Sequence, residues 1–160
     1  MAKREEELYP EIEKWFCQYL KDRYKEYEII TTHETSQLSL DTYLKQSLGI
    51  EIKEAIGLSI KVDIVAILKG KDIKLAFVEV KDKPLTLKDL GQLWGYSQLI
   101  DPIESFLISP KGIGSLNHIL RILNREDLLR YGKKRERMMK VCKWDENGKS
   151  IDYFNMIPKL

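Results

Sequence analysis

Apolar residues recur along the first segment at helical spacing. Leu8, Ile12, Trp15, Phe16, Tyr19 and Leu20 share one face, which predicts an amphipathic helix over residues 5 to about 24. Pro10 lies near enough to its start to be accommodated in a first turn. Tyr27-Glu28-Ile29-Ile30-Thr31-Thr32 is rich in β-branched residues and reads as a strand. From residue 41 to about 55, Leu44, Leu48 and Ile52 recur at intervals of four, but Gly49 interrupts them. A broken or irregular insertion is expected there. Residues 59–68 and 73–81 are stronger strand patterns. The connection Lys69-Gly70-Lys71-Asp72 suits an antiparallel hairpin. Leu75-Ala76-Phe77-Val78 is apolar at consecutive positions, as in a strand buried on both faces.

Thr86 is placed to cap a helix over residues 87–100, which Asp101-Pro102 ends. Residues 105–109 form a third buried strand pattern, and a helix is expected from 115 to about 131. Two short strands, 138–144 and 151–156, flank the turn Asp145-Glu146-Asn147-Gly148. Alternating helices and strands predict one α/β domain over residues 1–160, with a mixed central β-sheet flanked by helices.

Composition narrows the function classes. Of 160 residues, 43% are hydrophobic and 32% charged, which is globular rather than disordered. Lys and Arg number 27 against 25 Asp and Glu, so the net charge is only +2 and any basic surface must be local. Cys17 and Cys142 alone exclude a disulfide framework or a four-cysteine metal site built from this chain. No apolar run approaches the ~18 residues of a membrane span, and the opening residues lead into none. An intracellular, cytoplasmic protein is expected. There is no phosphate-binding Gly-x-x-x-x-Gly-Lys loop and no nucleophile elbow, so neither NTPase nor serine-hydrolase chemistry has support. His33 and His118 stand apart from any metal-ligand spacing.

The unusual charges lie inside the apolar strand patterns. Asp63 sits within Lys61-Val62-Asp63-Ile64-Val65-Ala66-Ile67, and ionised carboxylates are rarely buried without a partner. Glu79 and Lys81, two residues apart in Phe77-Val78-Glu79-Val80-Lys81, project to one face. A hairpin brings Asp63 toward Glu79, and two close carboxylates repel unless a cation lies between them. Oxygen ligands favour a hard ion such as Mg²⁺ or Mn²⁺. The bland alternative is a structural ion pair at a strand end.

Asp63, then Glu79-Val80-Lys81 on the next strand, then a helix resembles the PD-(D/E)XK nuclease superfamily. Val62 stands where that family's motif has proline. The helix carries Gln92-Leu93-Trp94-Gly95-Tyr96, a Q-x-x-x-Y pattern that resembles the RecB-like branch. The resemblance spans about residues 7–109 and is strongest over 63–96. It implies a restriction-endonuclease-like sandwich with an α-β-β-β-α-β core. It also implies a Mg²⁺-dependent deoxyribonuclease, with Mn²⁺ substituting, that hydrolyses phosphodiesters with a metal-activated water. Asp63, Glu79 and the Val80 carbonyl would hold the metal, and Lys81 would orient the water. Gln92 and Tyr96 would order the site or touch substrate. Glu7, or else Glu11, would complete the site. A non-cleaving DNA-binding module of the same fold and a dimeric Holliday-junction resolvase are the alternatives. Endo- or exonuclease action, RNA as substrate, a homodimer and membership of a larger DNA-processing complex stay open. The setting implied is prokaryotic or viral.

Between residues 121 and 143, nine cationic side chains face three acidic ones. Arg130, Lys133, Lys134, Arg135 and Arg137 are the candidate phosphate contacts. Tyr131 within the run is a candidate for stacking on a base.

Overall fold

The computed structural model describes residues 2–159. Helix α1 runs Ala2–Arg23, followed by β1 (Glu28–Thr32). The insertion is a short helix, α2 (Leu40–Tyr43), a wider helical turn over Leu44–Leu48 and a tight turn over Lys53–Ala55. Strands β2 (Ile64–Lys69) and β3 (Ile73–Val80) form the expected antiparallel hairpin. Helix α3 (Leu87–Ile100) then crosses over to β4 (Glu104–Ser109), parallel to β3. A two-stranded ribbon, β5 (Arg130–Tyr131) and β6 (Arg137–Met138), precedes β7 (Lys140–Asp145) and β8 (Ser150–Ile151). The mixed sheet has the order β1-β2-β3-β4-β7-β8, with β3-β4 and β4-β7 parallel and the other pairs antiparallel. The architecture is α/β.

Strand alternation divides the core between two faces. Ile64, Ala66, Leu68, Ala76, Val78 and Val80 pack with Leu8, Ile12, Phe16 and Leu20 of α1. Val65, Ile67, Leu75, Phe77 and Leu107 pack with Leu90 and Leu93 of α3 and with Leu40 and Leu44 of the insertion. Parallel pairing needs a crossover, and α3 supplies it on the second face. The Thr86 hydroxyl accepts from the Asp89 amide, and the Asp89 carboxylate accepts from the Thr86 amide, a complete capping box.

Several expected elements differ. Helix α1 begins at Ala2, so Pro10 lies in its interior. Glu6 and Pro10 are both exposed, so the carbonyl left without an amide partner is on the wet side. Strand β2 begins only at Ile64, and Asp63 occupies the bend before it. No continuous helix covers 115–131. A helical turn reaches only Ile122, Asn124 turns left-handed at φ 56°, and a tight turn covers Glu126–Leu129. Gly114 (φ +62°) passes so close to the Leu85 carbonyl that a Cβ would lie 2.4 Å from it. The expected last strand is only two residues of β8, followed by a turn over Tyr153–Asn155.

Phe77, fully buried in the central strand, anchors the α3-side core. Phe77→Ala is expected to lower unfolding free energy by about 3–5 kcal/mol in urea titrations. Thr86→Ala, which removes the α3 cap, is expected to lower it by about 1 kcal/mol.

Candidate active site

The β2–β3 register pairs Ile64 with Val78, so Asp63 comes opposite Glu79 where the hairpin opens. Each carboxylate accepts from a backbone amide of the other strand. The Asp63 amide donates to Glu79 Oε1 (3.3 Å), and the Val80 amide donates to Asp63 Oδ2 (2.8 Å). Tyr9 Oη of α1 donates to Asp63 Oδ1 (2.9 Å). Lys81 Nζ lies 3.5 Å from Glu79 Oε2. The backbone entering the site is pinned by Thr35, fully buried, whose hydroxyl donates to the Val62 carbonyl (2.6 Å). The Lys81 amide donates to the Ile108 carbonyl (3.0 Å), continuing the β3–β4 pairing past the end of β3.

Burial dominates the electrostatics. It pushes the Glu79 carboxyl up to about 8, with the Asp63 charge pushing the same way and Lys81 opposing. Burial also raises Asp63, against the Val80 amide, the Tyr9 hydroxyl and the Lys81 charge. For Lys81, burial works against the ammonium, but Glu79, Asp63, Glu5 and Asp89 outweigh it and keep it protonated. The Tyr9 phenol is raised by burial and then by the neighbouring Asp63 charge.

The expected Asp63, Glu79 and Lys81 are thus brought together, but neither Glu7 nor Glu11 joins them. Glu7 is exposed, and Glu11 lies 3.9 Å from Lys149. Glu5 of α1 instead accepts from the Asp82 amide (3.4 Å), just past Lys81. Asp82 in turn faces Arg4 at 3.7 Å, and Arg4 also pairs with Glu146. Tyr9 and Glu5 were legible in principle. They are four apart on one face of α1, while Glu7 lies about 200° around the helix from either.

Gln92 is exposed and Tyr96 half-buried against the α3-side core. Among the described residues neither hydrogen-bonds to the acidic group. Arg130, Lys133, Lys134 and Arg135 are exposed around the β5–β6 ribbon. Arg137 is instead committed to the fold, donating to the Asp101 carboxylate (2.7 Å) and carbonyl (2.9 Å). Tyr131 is fully buried, its hydroxyl donating to the Pro102 carbonyl (2.8 Å), and offers no face to a base. His33 pairs with Glu13 at 2.6 Å. Cys142 is buried, and burial raises its thiol.

Among the described residues no group of three His, Cys, Asp or Glu side chains is placed to hold a metal ion. The donors at hand are two carboxylates and the Val80 carbonyl, all oxygen. That set fits a hard divalent cation that keeps several waters. Each Asp63 oxygen already accepts one hydrogen bond and retains further lone-pair capacity. No helix among the described residues is long and apolar enough to cross a membrane. A scan of protein-family models and searches of curated proteins and solved structures find no match to the chain.

Because the folded-state pKa of Glu79 lies above its ordinary 4.5, the folded protein binds the extra proton between those values. Its contribution to stability is full below about pH 4.5 and is lost as pH rises through about 8. In chelator, Glu79→Gln is expected to flatten the fall in melting temperature between pH 5 and 9, and to melt above wild type at pH 9. An unchanged slope would show that Glu79 is not the titrating group. Tyr9→Phe is expected to weaken Mg²⁺ binding by several-fold in titration calorimetry while far-ultraviolet circular dichroism stays the same.

Proposed function

We propose that the chain is a Mg²⁺-dependent deoxyribonuclease of restriction-endonuclease-like fold, centred on Asp63, Glu79 and Lys81. The observation that carries this reading is the buried Glu79 and half-buried Asp63 carboxylates at neighbouring strand ends, with one ammonium 3.5 Å from Glu79. The element order gives further support: α1, the antiparallel β1-β2-β3 meander, α3, and β4 parallel to β3.

Asp63 and Glu79, with the Val80 carbonyl, would hold the cation. Bound there, a divalent ion polarises a phosphodiester and lowers the pKa of a water. Tyr9 and the Val80 amide keep Asp63 in one orientation. Burial and the Asp63 charge favour a proton on Glu79 in the ion-free protein, and a cation held by Asp63 and Glu79 would favour the ionised form. Lys81 stays protonated, so its role is to place positive charge against the developing phosphate charge and to orient the water. Glu5 supports the group from α1. Gln92 and Tyr96 remain substrate-side candidates on α3, and Arg130, Lys133, Lys134 and Arg135 are candidate phosphate contacts.

The test is cleavage of single-stranded, duplex, flapped and four-way-junction DNA, and of RNA, in Mg²⁺, Mn²⁺ or chelator. Cleavage of DNA is expected with either metal and not with chelator. Lys81→Ala is expected to lose on the order of 100-fold or more in rate with the fold intact. Full activity of Lys81→Ala would overturn the mechanism. Binding of metal and DNA without cleavage would favour the non-cleaving module.

A further inference from the structure

A cavity of about 400 Å³ opens along α3, beyond the acidic site. Trp94, inside the Gln92–Tyr96 stretch, forms one wall. Its indole Nε1 donates to the Arg130 carbonyl (2.8 Å), which holds the ring in one plane. The Arg135 guanidinium lies 5.8 Å from the ring centroid. Leu87 and Leu90 supply apolar walls, and Leu87 is half exposed. At Gly91 a Cβ would meet nothing within 4 Å, so the absent side chain is part of the open space. Arg125, also at the cavity, is spent on a forked pair with Asp127 (2.9 and 3.1 Å). Arg130 and Arg135 are exposed and make no ion pair among the described residues.

A fixed aromatic ring, the Arg135 guanidinium over one of its faces and the exposed Arg130 at the rim match a flat π-system that carries an anionic group. An apolar ligand would leave the two arginines without a purpose. The volume lies in the range of small-ligand sites. Lys83, two residues past Lys81, pairs with Asp89 in the first turn of α3 (2.7 Å). From Asp89 to Trp94 the helix advances about 8 Å and turns about 140°, so the cavity opens on a different face of α3 from Gln92 and Tyr96.

We propose that this cavity takes one unpaired nucleobase of the DNA, stacked on Trp94 with its phosphate against Arg130 and Arg135. A base inside a duplex is stacked and paired and cannot present its face to such a pocket. The protein is therefore directed to DNA with a single-stranded end or gap. This inference rests on the nuclease reading and names its substrate class.

The experiment compares binding of a blunt duplex with that of the same duplex bearing a short thymidine overhang. Ca²⁺ replaces Mg²⁺, a larger cation with looser geometry that screens the carboxylates. Gly91→Leu fills the cavity without removing a contact, and Leu is the better helix former. Trp94→Leu removes the stacking face, and thermal melting checks its fold. Wild type is expected to bind the overhang about tenfold more tightly than the blunt duplex. Both variants are expected to lose that preference and to bind blunt duplex as wild type does. A preference that survives in Gly91→Leu, or its absence in a wild type that still binds DNA, overturns the pocket and leaves the nuclease reading standing. Failure of wild type to bind either DNA overturns both.

Discussion

Two carboxylates held side by side in a nonpolar interior repel each other and lose their hydration, and everything around Asp63 and Glu79 serves to offset that cost. The hairpin lets each residue bond the backbone at the other strand: the Asp63 amide meets Glu79, and the Val80 amide meets Asp63. Lys81 supplies one positive charge, and Tyr9 adds a neutral donor from α1. These groups do not neutralise the pair, since Glu79 is still pushed up to about 8. A site that retains this repulsion is one that a proton or a divalent cation relieves.

The rest of the fold places that pair. Strand β3 is buried from Leu75 to Val80, so charge is tolerated only toward its end. There the sheet is flanked by α1 on one face and the start of α3 on the other. Thr35 fixes the backbone at Val62, and the capping box fixes the first turn of α3. The site is thus supported by elements far apart in sequence, none of which carries the chemistry itself.

The cationic run over residues 121–143 separates by structure into two kinds of residue. Arg121 donates to the carbonyls of Asn155 and Met156, Arg125 pairs with Asp127, Arg137 with Asp101, and Lys140 with buried Glu104. Arg137 ties the ribbon to the residue that ends α3, Lys140 ties β7 to β4, and Arg121 ties its turn to the segment after β8. Arg130, Lys133, Lys134, Arg135 and Lys143 stay exposed, so the free positive charge of the run is about half of what the count of charges suggests.

Local sequence by itself determined the elements with strong periodicity: α1, the β2–β3 hairpin, α3 with its Thr86 cap, and β4. It also determined the placement of Asp63, Glu79 and Lys81 at strand ends, because charge within β-branched runs has few structural outlets. Tertiary structure alone decided the segment between β4 and β7. Its amphipathic pattern suits a helix, but the left-handed turn at Asn124 and the pairing of β5 with β6 draw it into turns and a ribbon. It also decided which acid of α1 faces the site. Helical phase relates Glu5 to Tyr9, but only the packing of α1 on the sheet turns that face, rather than the face of Glu7, toward Asp63. Tyr131 and Arg137 looked like surface contacts because composition records charge and aromaticity but not direction. Burial against Pro102 and the ion pair to Asp101 come from contacts about 30 residues distant, which no local pattern encodes.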